Sequence, residues 1–249
     1  MITPYYKDSA AALYHGDMRS VLPALDITVD ACLTDPPYGE TSLAWDRWVD
    51  GWPALVAENT NSMWCFGSMR MFLQHRDEFV GWRLSQDVVW EKHNGTGFAA
   101  DRFKRVHELA LHFYRGSWDG ICHDVVKEAA GAARLGSIRA SAAAVPHTGE
   151  IGATCYVDDG TRLVRSVLKH PSVRGGIHRT EKPLALLAPL IEYAVPPGGL
   201  VLDPFAGSAS TLLTARQLGR RSIGIEANEE SCEQAAKRLE VPDLFGGAA

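Results

Sequence analysis

Leu200-Val201-Leu202-Asp203-Pro204-Phe205-Ala206-Gly207-Ser208 is the stretch on which the reading of this chain turns. Its first four residues have the make-up of a short buried strand. A loop of small residues follows, then a helical stretch over 210–218, with Gly219 as its stop. Residues 222–226 form the next strand, which ends in an acid, Glu226. Strand, small-residue loop, helix, strand and acid make half of a nucleotide-cofactor unit. Ala206 and Gly207 let a ligand approach the backbone closely, and amides at the helix start can face an anionic or polar ligand. Glu226 sits where a carboxylate can accept two ribose hydroxyls.

The loop lacks the G-x-x-x-x-G-K-[ST] phosphate cradle and the full three-glycine dinucleotide pattern. Phe205 offers a flat apolar wall to an adenine or a methionine chain. These features fit S-adenosylmethionine better than NAD or ATP.

Well upstream, Thr34-Asp35-Pro36-Pro37-Tyr38-Gly39 follows a compact apolar strand at 29–34. Proline cannot continue a ladder, so that strand must stop there. Ligands of open α/β sheets bind at the carboxyl ends of strands. Two consecutive prolines make a stiff turn that leaves the Pro36 carbonyl free to accept a hydrogen bond. Asp35 is a second acceptor, and Tyr38 offers a ring face. Two acceptors and a stacking ring suit an aromatic amine, whose lone pair is delocalised into its ring. Hydrogen bonds from both N–H groups localise that lone pair and stabilise the charge developing on nitrogen, so that attack on a sulfonium methyl becomes feasible.

Around these two sites, residues 11–14, 62–66, 84–90 and 109–114 read as strands, and 18–25, 51–60, 69–79 and 229–239 as helices. Pro183 suits a first helical turn, with Leu184, Leu187, Leu190 and Ile191 as its apolar face and Pro189 expected to bend or shorten it. The alternation implies an α/β fold with a mostly parallel sheet and helices on both faces. Residues 116–179 break the rhythm and read as an insert, between a catalytic half at 1–115 and a cofactor half at 180–249.

With 249 residues, 46% of them apolar and 22% charged, the chain can bury a real core, and its composition is that of a globular rather than a disordered chain. No apolar run reaches the roughly 18–20 residues needed to span a bilayer. The start, Met1-Ile2-Thr3-Pro4, lacks the regions of a signal peptide, so the expected location is the cytoplasm. Cys32, Cys65, Cys122, Cys155 and Cys232 form no C-x-x-C pair, which argues against a zinc site and a disulfide framework, and no metal is expected. The net charge of −5 does not advertise a nucleic-acid binder. Its distribution does: Arg162, Arg165, Lys169, Arg174, Arg179 and Lys182 face the single acid Glu181, and Arg102, Lys104, Arg105 and Arg115 form a second basic group.

With both sites in hand, the chain resembles the beta-class DNA amino-methyltransferases, in which Asp-Pro-Pro-Tyr precedes a Phe-x-Gly loop. His15-Gly16-Asp17, Trp90-Glu91-Lys92-His93-Asn94, His107-Glu108-Leu109-Ala110-Leu111 and Thr180-Glu181-Lys182-Pro183 resemble further family landmarks. The resemblance implies a Rossmann-like methyltransferase fold with a small target-recognition insert. It also implies transfer from S-adenosylmethionine to a base flipped out of double-stranded DNA. It assigns Asp35, Pro36, Pro37 and Tyr38 to the base. It assigns Asp17, Asp35, Lys182, Asp203, Phe205, Ala206, Gly207, Ser208 and Glu226 to the cofactor, with Lys182 near the methionine carboxylate. Arg162, Arg165, Lys169, Arg174 and Arg179 are the candidate DNA contacts. An aspartate first in the tetrapeptide resembles the adenine-N6 members; cytosine-N4 transfer and a DNA-binding relative without turnover are the alternatives. The family usually reads Gly-Ser-Gly-Thr-Thr where this chain has Gly207-Ser208-Ala209-Ser210-Thr211, a departure expected to weaken cofactor binding at most. A homodimer is left open, and the tail Glu240-Val241-Pro242-Asp243-Leu244-Phe245 weakly resembles peptides that dock on sliding clamps.

Overall fold

Apolar residues fill both faces of the central strands, and helices cover both. In the computed structural model, described for residues 2–96, 101–130, 137–139, 155–157, 159–173 and 181–241, the first half of the chain runs β1 (Tyr6–Lys7), β2 (Ala11–His15), α1 (Met18–Leu25), β3 (Ala31–Thr34), α2 (Trp52–Ala57), β4 (Ser62–Gly67), α3 (Met69–Gln74), β5 (Arg83–Thr96) and β6 (Arg105–Tyr114). Four short strands follow: β7 (Lys127–Ala129), β8 (Ser137–Arg139), β9 (Cys155–Val157) and β10 (Thr161–Leu163). The chain closes with β11 (Val167–Lys169), α4 (Leu184–Ala194), β12 (Leu200–Asp203), α5 (Ser210–Gln217), β13 (Arg221–Glu226) and α6 (Glu229–Glu240).

Nine strands form one sheet in the order β1-β2-β13-β12-β3-β4-β6-β5-β11. From β2 to β4 all pairings are parallel; β6 is antiparallel to both β4 and β5. Strand alternation sorts the core. Cys32, Met63 and Cys65 pack with Met18, Leu22, Trp52 and Val56 on one face, while Ala31, Leu33, Trp64 and Phe66 pack with Leu186, Leu190 and Ile191 on the other. Strands buried on both faces are what helix-covered parallel sheets require. A third cluster joins Ala11 and Leu13 to Leu212, Cys232, Ala235 and Leu239.

Helix ends follow local chemistry. Asp17, Ser68 and Asn228 cap α1, α3 and α6 through their side chains, satisfying amides that the first turn leaves unpaired. Gly219, at φ +69°, ends α5 in the left-handed conformation glycine tolerates. The expected helix at 69–79 is divided: α3 ends at Gln74, and Arg76–Phe79 is a 3-10 turn. Pro189 does not shorten α4, which runs on to Ala194 under continuous apolar contact from Leu186 to Ala194.

A second compact unit spans Val125–Arg165, narrower than the insert read at 116–179. Within it β7 pairs with β10 and β8 with β9, both antiparallel. Residues 166–173 belong to the main unit, because β11 pairs in parallel with β5 through Val167 and Val89. Lys169 therefore sits on the main sheet. Among the described residues, no helix is long and apolar enough to cross a membrane.

Candidate active site

The two distant motifs are neighbours because β3 and β12 are parallel partners, with Val201 opposite Ala31 and Leu202 opposite Cys32. The Asp35 turn and the Phe205 loop leave the same sheet edge side by side. The Thr34 hydroxyl donates to Asp203 Oδ1 at 3.0 Å and the Phe205 amide donates to the same oxygen at 3.1 Å, tying the turns together. Burial pushes the Asp203 carboxyl up to about 6. The Asp35 charge adds to the rise, and hydrogen bonds from Thr211, Phe205 and Thr34 oppose it.

Beyond this edge lies a cavity of about 1160 Å³. Asp17, Asp35, Pro36, Pro37, Tyr38, Lys182, Asp203, Phe205, Ala206, Gly207, Ser208 and Glu226 all line it. Glu226 Oε2 accepts the Gly207 amide and Oε1 the Asn228 amide, each at 2.8 Å, so the carboxylate is fixed at the end of β13. The Phe205 ring is braced edge-on by Trp52, with centroids 5.7 Å apart. Asp17 caps α1 through the Arg19 amide and is paired with the Arg19 guanidinium at 2.6 Å, which holds its carboxyl below the usual range. Ala209 takes φ +61°, yet it is fully buried in the third core cluster and does not line the cavity. The methyl group that departs from the family pattern faces protein rather than ligand.

Asp35 is held on both oxygens. Tyr38 Oη donates to Oδ1 at 2.6 Å, and the Lys182 ammonium pairs with Oδ2. Lys182 also stands 3.4 Å from Glu108 Oε2, and Glu108 Oε1 pairs with Lys92. Burial works to raise Glu108, but the two lysines outweigh it and hold its carboxyl down to about 2. Burial likewise disfavours charge on Lys182, and Asp35 and Glu108 override it and raise the ammonium above its ordinary value. The network was not assigned from sequence. Because β6 runs antiparallel to β4, the start of β6 reaches the edge where the parallel strands end. Trp90 pairs with Glu108 across β5 and β6, which places Lys92 there too. Lys182 is thus directed at Asp35 and Glu108, and Glu181 is anchored by Arg238 at 2.5 Å.

Of the candidate DNA contacts, Arg162 lies in the Val125–Arg165 unit, paired with Glu128 at 2.8 Å, and Arg165 is exposed there. Lys169 pairs with Glu91 at 2.8 Å on the main sheet. Arg174, Arg179 and the tail at 242–245 lie outside the described residues. In the second basic group, Arg115 is spent on the Ala57 carbonyl at 2.5 Å and Arg105 pairs with Glu40 at 3.4 Å.

Residues 29–237 match the family model described as DNA methylase, of the N6/N4 class. The chain belongs to that family. It is 28% identical over 267 residues to the type II methyltransferase M.ScaI of Streptomyces caespitosus, covering 95% of this chain and 84% of that protein. A structure of M1.HpyAVI with SAM aligns over 92% of this chain and all of that one, with a TM-score of 0.63 and 26% identity. The cytosine-N4-specific PvuII DNA methyltransferase shares the fold, at a TM-score of 0.66 and 17% identity over 98% of this chain and 92% of that one. The protein is therefore a DNA methyltransferase with a Rossmann-like fold, its cofactor is S-adenosylmethionine and its substrate is DNA. The donor set fits that cofactor. A fixed carboxylate, Glu226, suits a ribose diol, the Phe205 ring suits a flat base or aliphatic chain, and Asp35 suits an ammonium.

Proposed function

We propose that the methyl group goes to N6 of an adenine turned out of duplex DNA into the cavity beside Asp35. S-adenosylmethionine, when bound, supplies an electrophilic methyl group on sulfur. Glu226, Phe205 and the 206–208 backbone hold its nucleoside end, with Asp17 beyond them. Asp203 braces the loop from behind. Lys182, which lines the same cavity and pairs with Asp35, stands at the methionine end. The Asp35 carboxylate and the Pro36 carbonyl accept the two N–H groups of the target amine, and Tyr38 stacks on its ring.

The observation that carries this reading is the shared cavity. Asp35 and Tyr38 line the same space as Phe205 and Glu226 although the motifs lie far apart in the chain. An aspartate heading the tetrapeptide supports adenine. Cytosine N4 is chemically alike, and the same residues would serve it. Target recognition is assigned to 116–179, with Arg162 and Arg165 on phosphates.

The test is incubation with mixed genomic DNA and labelled S-adenosylmethionine, followed by digestion to nucleosides and mass identification. N6-methyl-2′-deoxyadenosine is the expected product, lost in Asp35→Ala. Label on cytosine would overturn the base assignment, and full transfer by Asp35→Ala would overturn the site.

A further inference from the structure

Lys182 has two carboxylates in reach, the partly exposed Asp35 and the more enclosed Glu108, and makes its closer contact with Asp35. Its ammonium bonds Asp35 Oδ2, and its 3.4 Å approach to Glu108 Oε2 is an ion pair without hydrogen-bond geometry. Glu108 Oε2 is buried and has no hydrogen-bond partner among the described residues, while Oε1 is held by Lys92. A buried carboxylate oxygen without a donor is costly, so it stands as a ready acceptor for a nearby cation. The Lys182 ammonium lies 5.1 Å from the Phe66 ring centroid and 5.8 Å from that of Trp90. It can pivot between the two oxygens without leaving these aromatic faces.

Asp35 poses the complementary problem. With Lys182 on one oxygen and Tyr38 on the other, both carboxylate oxygens are already engaged where a target N–H must bind. We propose that Glu108 is a positioning residue that takes Lys182 from Asp35 when the target amine enters, uncovering the acceptor, with Lys92 holding Glu108 in place. The inference rests on the reading of Asp35 as the amine's acceptor. The exchange moves no proton: the ammonium stays charged because a carboxylate faces it in both positions, in keeping with its raised pKa. It leaves Oε2 of Glu108 satisfied and one oxygen of Asp35 open, so the cost of uncovering Asp35 is offset within the same network.

The test is a double-mutant cycle on the full chain, with labelled S-adenosylmethionine and genomic DNA under single-turnover conditions. Glu108→Gln should slow methyl transfer about tenfold or more, with the dissociation constant for S-adenosylmethionine within about threefold of wild type. In a Lys182→Met background the same change should cost less than about twofold, because no cation remains to be exchanged. Glu108→Asp keeps the charge but withdraws it from Lys182, and serves if Glu108→Gln fails to fold; it should show the same loss and the same coupling. Losses that simply multiply in the double variant would overturn the exchange. A loss that appears mainly as weaker cofactor binding would overturn it too. Asp35→Ala separates the two levels: if it transfers methyl normally, the underlying reading fails, whereas an inactive Asp35→Ala with uncoupled Glu108 and Lys182 sinks the exchange alone.

Discussion

Tyr38 Oη donates to Asp35 Oδ1 at 2.6 Å, so the ring read as the stacking surface is docked on the acceptor read as receiving the amine. Burial, together with the Asp35 charge, pushes the phenol well above its ordinary pKa, so it stays a donor. An incoming amine therefore meets Asp35 with this hydroxyl already on Oδ1. Tyr38→Phe keeps the ring and removes the competing donor, and its single-turnover rate should stay within about threefold of wild type. Tyr38→Ala loses the stack, worth about 1–3 kcal/mol per base, and should fall roughly 5- to 150-fold. If both variants fall alike, the hydroxyl rather than the ring is what the reaction uses.

The parallel half of this site could be read from sequence because one rule generated it. Strands that run parallel deliver their carboxyl ends to one edge, so Asp35, Phe205 and Glu226 had to converge once β3, β12 and β13 were recognised. Glu108 and Lys92 escaped that rule. They arrive through the antiparallel β6 and its partner β5, and no local pattern tells which way an added strand runs. Lys169 was misplaced for a related reason: a three-residue strand after a polar stretch carries too little periodicity to announce that it rejoins the main sheet. Pro189 did not shorten its helix. It breaks a helix by propensity, but α4 buries Leu186, Leu187, Leu190 and Ile191, and tertiary burial outweighs one lost hydrogen bond.

Asp203 makes stability depend on pH. Burial pushes its carboxyl in the folded protein up to about 6, above the ordinary 3.8. The contribution is therefore full below about pH 4 and is lost as pH rises through 6. Between pH 4.5 and 7.5 the loss is about 2 kcal/mol, from about 1.4 kcal/mol per pKa unit. Asp203→Asn keeps an oxygen for the Thr34 hydroxyl and the Phe205 amide but does not ionise. Its Tm relative to wild type should rise between those two pH values, followed by circular dichroism. A gap that is flat in pH would show that Asp203 is not charged at a cost in the folded protein.

Ala209 occupies a left-handed conformation that costs an L-residue about 1–2 kcal/mol. Glycine would relieve this, but it would surrender a buried methyl worth about 0.8 kcal/mol and add about 0.5–1 kcal/mol of chain entropy. These terms nearly cancel. Ala209→Gly should therefore shift Tm by no more than about 3 °C. Because the methyl packs in the third cluster and not in the cavity, the affinity for S-adenosylmethionine should change less than about threefold by titration. A gain of tenfold would mean that this methyl does limit the cofactor.

Trp45 stands 49% exposed at the cavity's edge, with Leu43 beside it at 42%, on a segment that is internally tied. The buried Asp46 carboxylate accepts the Gly39 amide at 2.8 Å and the Thr41 amide at 2.7 Å. Arg47 reaches the Asp46 carbonyl at 3.0 Å and the Leu43 carbonyl at 3.4 Å. This frame follows directly from the Asp35 turn, so it presents an aromatic ring next to the point where the target base must enter. An exposed ring held there suits stacking on, or wedging beside, the bases that the flipped nucleotide leaves behind. Trp45→Ala should raise KM for DNA about tenfold in steady-state transfer, with cofactor affinity unchanged. Asp46→Ala should raise KM for DNA as well, by releasing the frame, and should also lower Tm because two backbone amides lose their acceptor. An unchanged KM in Trp45→Ala would remove this segment from the DNA interface.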